Sequence, residues 1–224
     1  MVLSYINAHA LNLAGTTPWF KEFLNASDIA YPDGEGVRFG SWLLGNSLPP
    51  QTALTRWIWE LAEFSCRQGF SLYFLGGEQH VVEGAVSALS AKSPGLHCAG
   101  FHHGYFQKHG PESDTVVEEI NNAKPNILLV GFGMPVQEDW IRRNKGRLNV
   151  NVILTAGSSF DYAAGTKSVC PSWVSRFGLE WFYRFLVEPK RLFRRYFFGN
   201  PRFLLHVILQ RMRNGKTQHI SGAN

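Results

Sequence analysis

At 224 residues the chain is long enough for one full-sized domain with its own core, or for a domain carrying an appendage. A hydrophobic content of 45% sets aside a disordered chain, and three widely spaced cysteines, Cys66, Cys98 and Cys170, set aside a disulfide framework or a cysteine metal knot and fit a reducing compartment. The net charge of +5 is unevenly placed: residues 171–213 hold nine Lys or Arg and two Glu, leaving −2 for the rest, so a near-neutral body carries a basic tail.

The first residues have no basic n-region, and Asn7, His9 and Asn12 interrupt their apolar character. Neither a signal peptide nor a membrane span is expected. Residues 2–6 read as a short strand, and Thr17 as the cap of a helix over 18–26 that begins with Pro18. A second strand over 29–31 ends in Pro32-Asp33-Gly34-Glu35-Gly36, which puts a carboxylate at a strand's C-terminal end, where ligands of open α/β sheets bind. Helices follow over 37–44 and 53–67, the latter stopped by Gly69. A strand over 70–75 leads through Gly76-Gly77 to a helix reaching about residue 92, and a strand over 96–100 precedes a histidine-rich loop and a helix over 114–123.

The stretch Ile127 to Trp140, ILLVGFGMPVQEDW, combines three features. Four apolar residues form a buried strand, Gly131 and Gly133 end it, and Pro135 opens a helix where a missing N–H costs nothing. Free N–H groups at such a turn suit an anion, and Gln137, Glu138 and Asp139 lie in the helix's first turn. The spacing is not G-x-G-x-x-G, and a plain βα connection has the same local appearance. One more strand over 151–155 runs into AGSSFDYAAGT, where Asp161 is either a polar contact or a helix cap. Strands alternating with helices at this spacing predict an α/β fold: a mainly parallel, Rossmann-like sheet with helices on both faces.

Beyond Thr166 the composition changes. Pro171, Pro189 and Pro201 divide the tail into expected helices over 172–177, 179–187, 190–198 and 202–213. Rings such as Trp181 and Phe197 alternate with Arg184, Lys190, Arg191, Arg194 and Arg195. That mixture suits a phospholipid headgroup layer, with rings at the interface and cations on phosphate. It would also suit a nucleic acid, or rings packed on the sheet.

Group transfer to a hydroxyl needs a carboxylate base and groups that hold the leaving phosphate. Asp33 qualifies as the base, although Asp before Gly is also a common turn former. His97, His102, His103 and His109 match no zinc spacing and read as loop residues without a metal. There is no G-x-S-x-G and no Walker lysine.

Several blocks then stand in one order: Asn7-Ala8-His9, Pro32-Asp33-Gly34-Glu35-Gly36-Val37, Phe74-Leu75-Gly76-Gly77, Gly104-Tyr105-Phe106, Gly133-Met134-Pro135-Val136-Gln137-Glu138-Asp139-Trp140, Phe160-Asp161 with Ala164-Gly165, and Gly178-Leu179-Glu180-Trp181-Phe182-Tyr183-Arg184. Each is common alone; the ordered set resembles the WecG/TagA/CpsF glycosyltransferase family over nearly the whole chain. The resemblance implies a Rossmann-like catalytic domain over 1–166 and a helical membrane-docking appendage over 167–224. It implies an inverting hexosyltransferase moving N-acetylmannosamine, its uronic acid or a related hexose from a UDP-sugar to a polyprenyl-diphosphate-linked acceptor. Neither a metal nor an organic cofactor is implied. Such an enzyme works in bacterial surface polysaccharide synthesis, peripherally at the cytoplasmic face of the inner membrane, with an anionic membrane surface as partner and room for a homo-oligomer.

Carried over by position, Asp33 is the base, and Asn7, Gly34, Gly76, Gly77, Gly131, Gly133, Pro135, Gln137, Glu138 and Asp161 surround the substrate, with Gln137 foremost. Arg184, Lys190, Arg191, Arg194, Arg195, Trp181 and Phe197 meet the membrane and the lipid diphosphate.

Three features depart from the family pattern. Members usually carry a further strand and helix ahead of the Asn7 block, Tyr5 stands where Thr is usual, and Gln51 to Arg56 replaces an Arg-x-x-Gly-x-Asp. A non-catalytic relative that binds a nucleotide sugar and holds partner enzymes at the membrane is the alternative these departures leave open. Nucleic-acid binding is not expected, because the body offers no matching basic surface.

Overall fold

Two apolar runs make the centre of the sheet. In β3 (Ser71–Gly76) and β5 (Ile127–Gly131) every residue is buried, as expected for parallel strands covered on both faces. A computed structural model describes residues 1–49, 53–171, 174 and 180–221, without the side chains of Glu180, Arg191, Arg194 and 214–221. It contains a six-stranded, all-parallel sheet of order β2-β1-β6-β5-β3-β4, completed by β1 (Val2–Ile6), β2 (Ile29–Pro32), β4 (His97–His102) and β6 (Val152–Thr155). The expected α/β, Rossmann-like architecture is therefore present. The exposed positions fall on the two edge strands, β2 and β4.

Register sorts the core. Leu72 lies opposite Ile127 and Phe74 opposite Leu129. These side chains share one face and pack with α4 (Leu54–Gln68), α5 (Gln79–Lys92) and the short α8 (Ser159–Ala163). The intervening Tyr73, Leu75, Leu128 and Val130 point the other way by the two-residue period of a strand. Helices α6 (Pro111–Ala123) and α7 (Val136–Asn144) are pinned together by the fully buried Trp140, whose Nε1 donates to Ser113 Oγ at 2.9 Å. The Arg142 guanidinium on α7 stacks 5.3 Å over Trp19 of α2 (Pro18–Asn25).

The chain forms two compact units: Met1–Tyr5, Trp19–Tyr31 and Ala53–Val169 make the first, and Ile6–Pro18, Pro32–Thr52 and Cys170–Asn224 the second. The tail thus shares its unit with α1 (Ala8–Ala14) and α3 (Glu35–Leu43), which the sequence reading placed in a domain ending at residue 166. Its described helices are α9 (Glu180–Val187), α10 (Pro189–Phe193), a π-helical turn (Arg194–Gly199) and α11 (Asn200–Ser221). Gly40 is where α3 meets α11. A Cβ there would stand 2.7 Å from the Phe203 ring. Asn12 Nδ2 donates to Gly199 O at 2.7 Å and the Arg211 guanidinium to Leu43 O at 2.9 Å.

Three sequence expectations need correcting. Helix α1 was not anticipated, although Asn7 followed by an Ala/Leu-rich run and Gly15 carries the signals of one. The helix expected to begin at Pro201 is present as α11, starting at Asn200, but the one expected over 190–198 is α-helical only to Phe193 and widens to π just ahead of Pro201. A proline lacks the N–H that an α-helical carbonyl four residues back would accept, and a wider turn is one way to accommodate that loss. Asp161 lies within α8 and is not its cap, which is Ser158. Of the helix expected over 172–177 only Val174 is described, and the start expected at Leu179 and Gln51 lie outside the described residues.

Candidate functional site

In the first unit, four loops follow the C-terminal ends of β3, β4, β5 and β6, and their backbones approach closely enough to exclude side chains. A Cβ on Gly76 would collide with the backbone of Gly131, and one on Gly131 would stand 2.9 Å from both Gly157 O and the Phe160 ring. Gly77 N–H donates to Gly131 O at 3.3 Å, and Gly104 N–H donates to Gly77 O at 2.7 Å. The predicted Gly76, Gly77 and Gly131 are thus brought together, and their lack of side chains is first a packing requirement. Gly133 differs. Its φ of +80° is the left-handed conformation that favours glycine, and nothing lies within 4 Å of where its Cβ would be. It leaves open space just ahead of Pro135, the residue before the first helical turn of α7.

Gln137 holds these loops in place. It is 0% exposed. Its Oε1 accepts from Gly133 N–H and from Gly157 N–H, both at 3.1 Å, while Nε2 donates to Tyr5 Oη at 3.3 Å and to Glu138 Oε1 at 2.7 Å. Two backbone donors need an acceptor, which fixes the orientation of the amide, and all four of its hydrogen-bonding capacities are used within the protein. The geometry therefore makes Gln137 a strut joining the ends of β1, β5 and β6.

Glu138 behind it is 1% exposed, and its second oxygen, Oε2, is buried without a hydrogen-bond partner. Burial pushes the carboxyl up to about 7, with the Gln137 amide pulling the other way. Asp139, next in sequence, is held below its usual range by Arg142 and Arg143, each 2.8 Å from a carboxylate oxygen, although partial burial opposes them. Asp161 pairs with Lys167 at 2.9 Å.

Tyr5 and Gly157 escaped the sequence reading as parts of one arrangement. Tyr5 Oη lies 2.7 Å from where a Gly157 Cβ would stand, so the phenol fills the space that a side chain at 157 would need. Substituting Phe for Tyr5 removes the acceptor from a buried Gln137 N–H and should cost about 1 kcal/mol. A lower urea midpoint at unchanged slope would register that loss, and an unmoved midpoint would show that the phenol does not support the strut.

In the second unit, Asp33 is half-buried immediately after β2, and its N–H donates to Ile6 O at 2.7 Å. Gly34, with φ +119°, turns the chain into α3. Asn7 is the N-cap of α1: its Oδ1 accepts from Ala10 N–H at 3.0 Å, so one face of that amide is committed to the fold. Burial, and then the Arg195 charge, hold the nearby His9 down at about 4, which leaves it neutral near pH 7. Of the residues assigned to the membrane, Trp181, Lys190 and Phe197 are exposed and Arg184 and Arg195 half-buried, whereas the side chains of Arg191 and Arg194 lie outside the described residues.

The model of the glycosyl transferase WecG/TagA/CpsF family matches residues 1–217. The chain is 30% identical over 216 residues, 96% of its length and 82% of the relative's, to the N-acetylglucosaminyldiphosphoundecaprenol N-acetyl-beta-D-mannosaminyltransferase of Bacillus subtilis (strain 168). It is 31% identical over 188 residues, 84% of its length and 72% of the relative's, to the protein of that name in Staphylococcus aureus (strain NCTC 8325 / PS 47).

Proposed function

Since the chain belongs to the WecG/TagA/CpsF glycosyltransferase family, we propose that it moves N-acetylmannosamine, its uronic acid or a related hexose from a UDP-sugar to a polyprenyl-diphosphate-linked sugar, with inversion. What carries this reading is the near full-length match to relatives named for a mannosaminyl transfer onto an undecaprenyl-diphosphate-linked acceptor. The loops of the first unit support the donor half of the reaction. Their glycines expose backbone near the N-terminus of α7, where N–H groups can stabilise the departing diphosphate. Asp33 takes the proton from the acceptor hydroxyl. Gln137 serves the pocket by fixing Gly133 and Gly157, which hold the backbone that meets the donor.

The test is a transfer assay with purified protein, offering UDP-N-acetylmannosamine, its uronic acid and UDP-N-acetylglucosamine against polyprenyl-diphosphate N-acetylglucosamine. A lipid-linked disaccharide and one equivalent of UDP are expected from one donor. Absence of product from all three, with the protein folded, overturns the reading. One observation favours the second reading, a donor-binding relative without transfer: Tyr5 places a phenol against the Gln137 amide where the family usually has Thr. Saturable UDP-sugar binding without product would select it.

The second unit serves the lipid-linked acceptor by lying on an anionic bilayer. Among the described residues no helix is long and apolar enough to cross a membrane. Phe197 and Phe198 are nonetheless 64% and 66% exposed, on a turn flanked by basic residues. Deleting the tail is a poor test, because Phe203 and Val207 cover Gly40 of α3. Replacing Phe197 and Phe198 with Ser leaves that contact intact and should weaken binding to phosphatidylglycerol vesicles at least about tenfold, given about 1.5–3 kcal/mol for each buried ring. Unchanged co-sedimentation would remove the membrane role from this turn.

A further inference from the structure

A groove of about 410 Å³ lies on the first unit, walled by Trp19 and Pro135 and lined by three cations, Lys108, Arg142 and Arg143, with Asp139 as its one carboxylate. Lys108 is the unusual member. Its Nζ donates to Gly104 O at 2.5 Å and to Phe106 O at 2.7 Å, and stands 3.9 Å and 4.5 Å from the ring centroids of Phe106 and Phe132. These partners are neutral, and they leave one of the three ammonium N–H groups unspent. No carboxylate among the described residues pairs with it; the nearest influence, Glu112, already accepts from Gln107 N–H at 2.6 Å. Partial burial accordingly pulls the ammonium below its ordinary range, with Glu112 opposing.

The two arginines share Asp139 and are fixed by it. Arg142 binds one carboxylate oxygen and Arg143 the other, so each guanidinium is oriented while most of its N–H groups stay available. Arg142 is further held against the Trp19 ring. Counting Asp139, the groove keeps an excess of two positive charges. A fixed excess of cations around a cavity of this size calls for a compact, multiply charged anion.

We propose that this groove is a phosphate-binding site in which Lys108, Arg142 and Arg143 donate to the oxygens of a phosphoryl or diphosphoryl group. The groove shares Pro135 with the residues assigned to the donor, but its three cations are none of those residues, and binding there needs no activity to be seen. The phosphate has two sources, a lipid headgroup or a soluble phosphate.

Isothermal titration of the full chain with inorganic pyrophosphate reads the site directly, in low salt where exposed cations are least screened. Saturable binding is expected, weakened at least tenfold in Lys108→Met and about threefold in Arg143→Gln, with circular dichroism spectra like the wild type. Should Lys108→Met fail to fold, Arg143→Gln, which changes an exposed side chain, carries the test. The same proteins are then sedimented with phosphatidylglycerol and phosphatidylcholine vesicles. Loss of pyrophosphate binding alone assigns the groove to a soluble phosphate; loss of binding to phosphatidylglycerol vesicles, with or without the former, assigns it to a headgroup. Equal affinities for pyrophosphate and for vesicles in wild type and both variants overturn the proposal.

Discussion

Replacing Asp33 with Asn should lower the rate of sugar transfer by roughly 10²–10⁴-fold, the usual contribution of a positioned general base. Asn has the shape of Asp and turns the chain as readily, so the N–H of residue 33 still meets Ile6 O and Gly34 still leads into α3. What is lost is the ability to take a proton. The substitution thereby separates the two readings that Pro32-Asp33-Gly34 permits. A residue needed only for the turn gives a variant with wild-type turnover; a base gives one that binds the UDP-sugar normally and turns over slowly. The fall should sit in kcat, with KM for the donor moving little, because the carboxylate acts as the acceptor hydroxyl loses its proton. Thermal melts of both proteins check that the fold is unchanged. Wild-type kcat in the variant would remove Asp33 from the chemistry.

The sequence displayed the sheet clearly because burial on both faces leaves a plain imprint. Leu72 to Leu75 and Ile127 to Val130 are apolar without alternation, and each run ends in glycine. Pro135 marked the start of α7 for the same local reason. What stayed hidden were short elements and distant partners. Helix α8 is five residues long, too short for a 3.6-residue period to register. The Gln137 strut depends on Tyr5, 132 positions away, and on Gly157, 20 positions away, and no local pattern announces such pairings. Gln137 read as a ligand contact because a polar residue in a first helical turn is ordinarily exposed. Here α7 buries the two residues after Val136, and the amide that would have faced a ligand is consumed inside. Lys108 escaped notice too: the carbonyls it donates to lie within four residues, and its charge stands out only once the lack of a paired carboxylate among the described residues is seen in three dimensions.

Glu138 should make the fold lose stability as pH rises. In the unfolded chain its carboxyl titrates near its ordinary value of 4.5, and in the fold burial pushes it up to about 7. Between these values the native state keeps a proton that the unfolded state has released, so unfolding gives up a proton and becomes easier with rising pH. The contribution is fully present below pH 4.5 and gone above pH 7, and the difference amounts to about 3 kcal/mol at 1.36 kcal/mol per pH unit. His9 works in the opposite sense. Burial holds it down at about 4 in the fold, below its ordinary value of 6.5, so it adds stability as pH rises through that window. The wild-type curve alone therefore mixes two slopes, and the informative quantity is its difference from Glu138→Gln. Glutamine keeps an oxygen for the Gln137 N–H and cannot titrate; like the protonated acid, it leaves one polar group in the position of Oε2. Urea midpoints at pH 4 should nearly coincide. By pH 8 the variant should be the more stable by up to about 3 kcal/mol, and parallel curves from pH 5 to 8 would show that Glu138 is not protonated in the fold. A neutral Glu138 explains how an acid can stand behind the strut with one oxygen unpartnered. Above pH 7 the same burial isolates a full charge beside Gln137, and the loops that Gln137 ties together bear its cost.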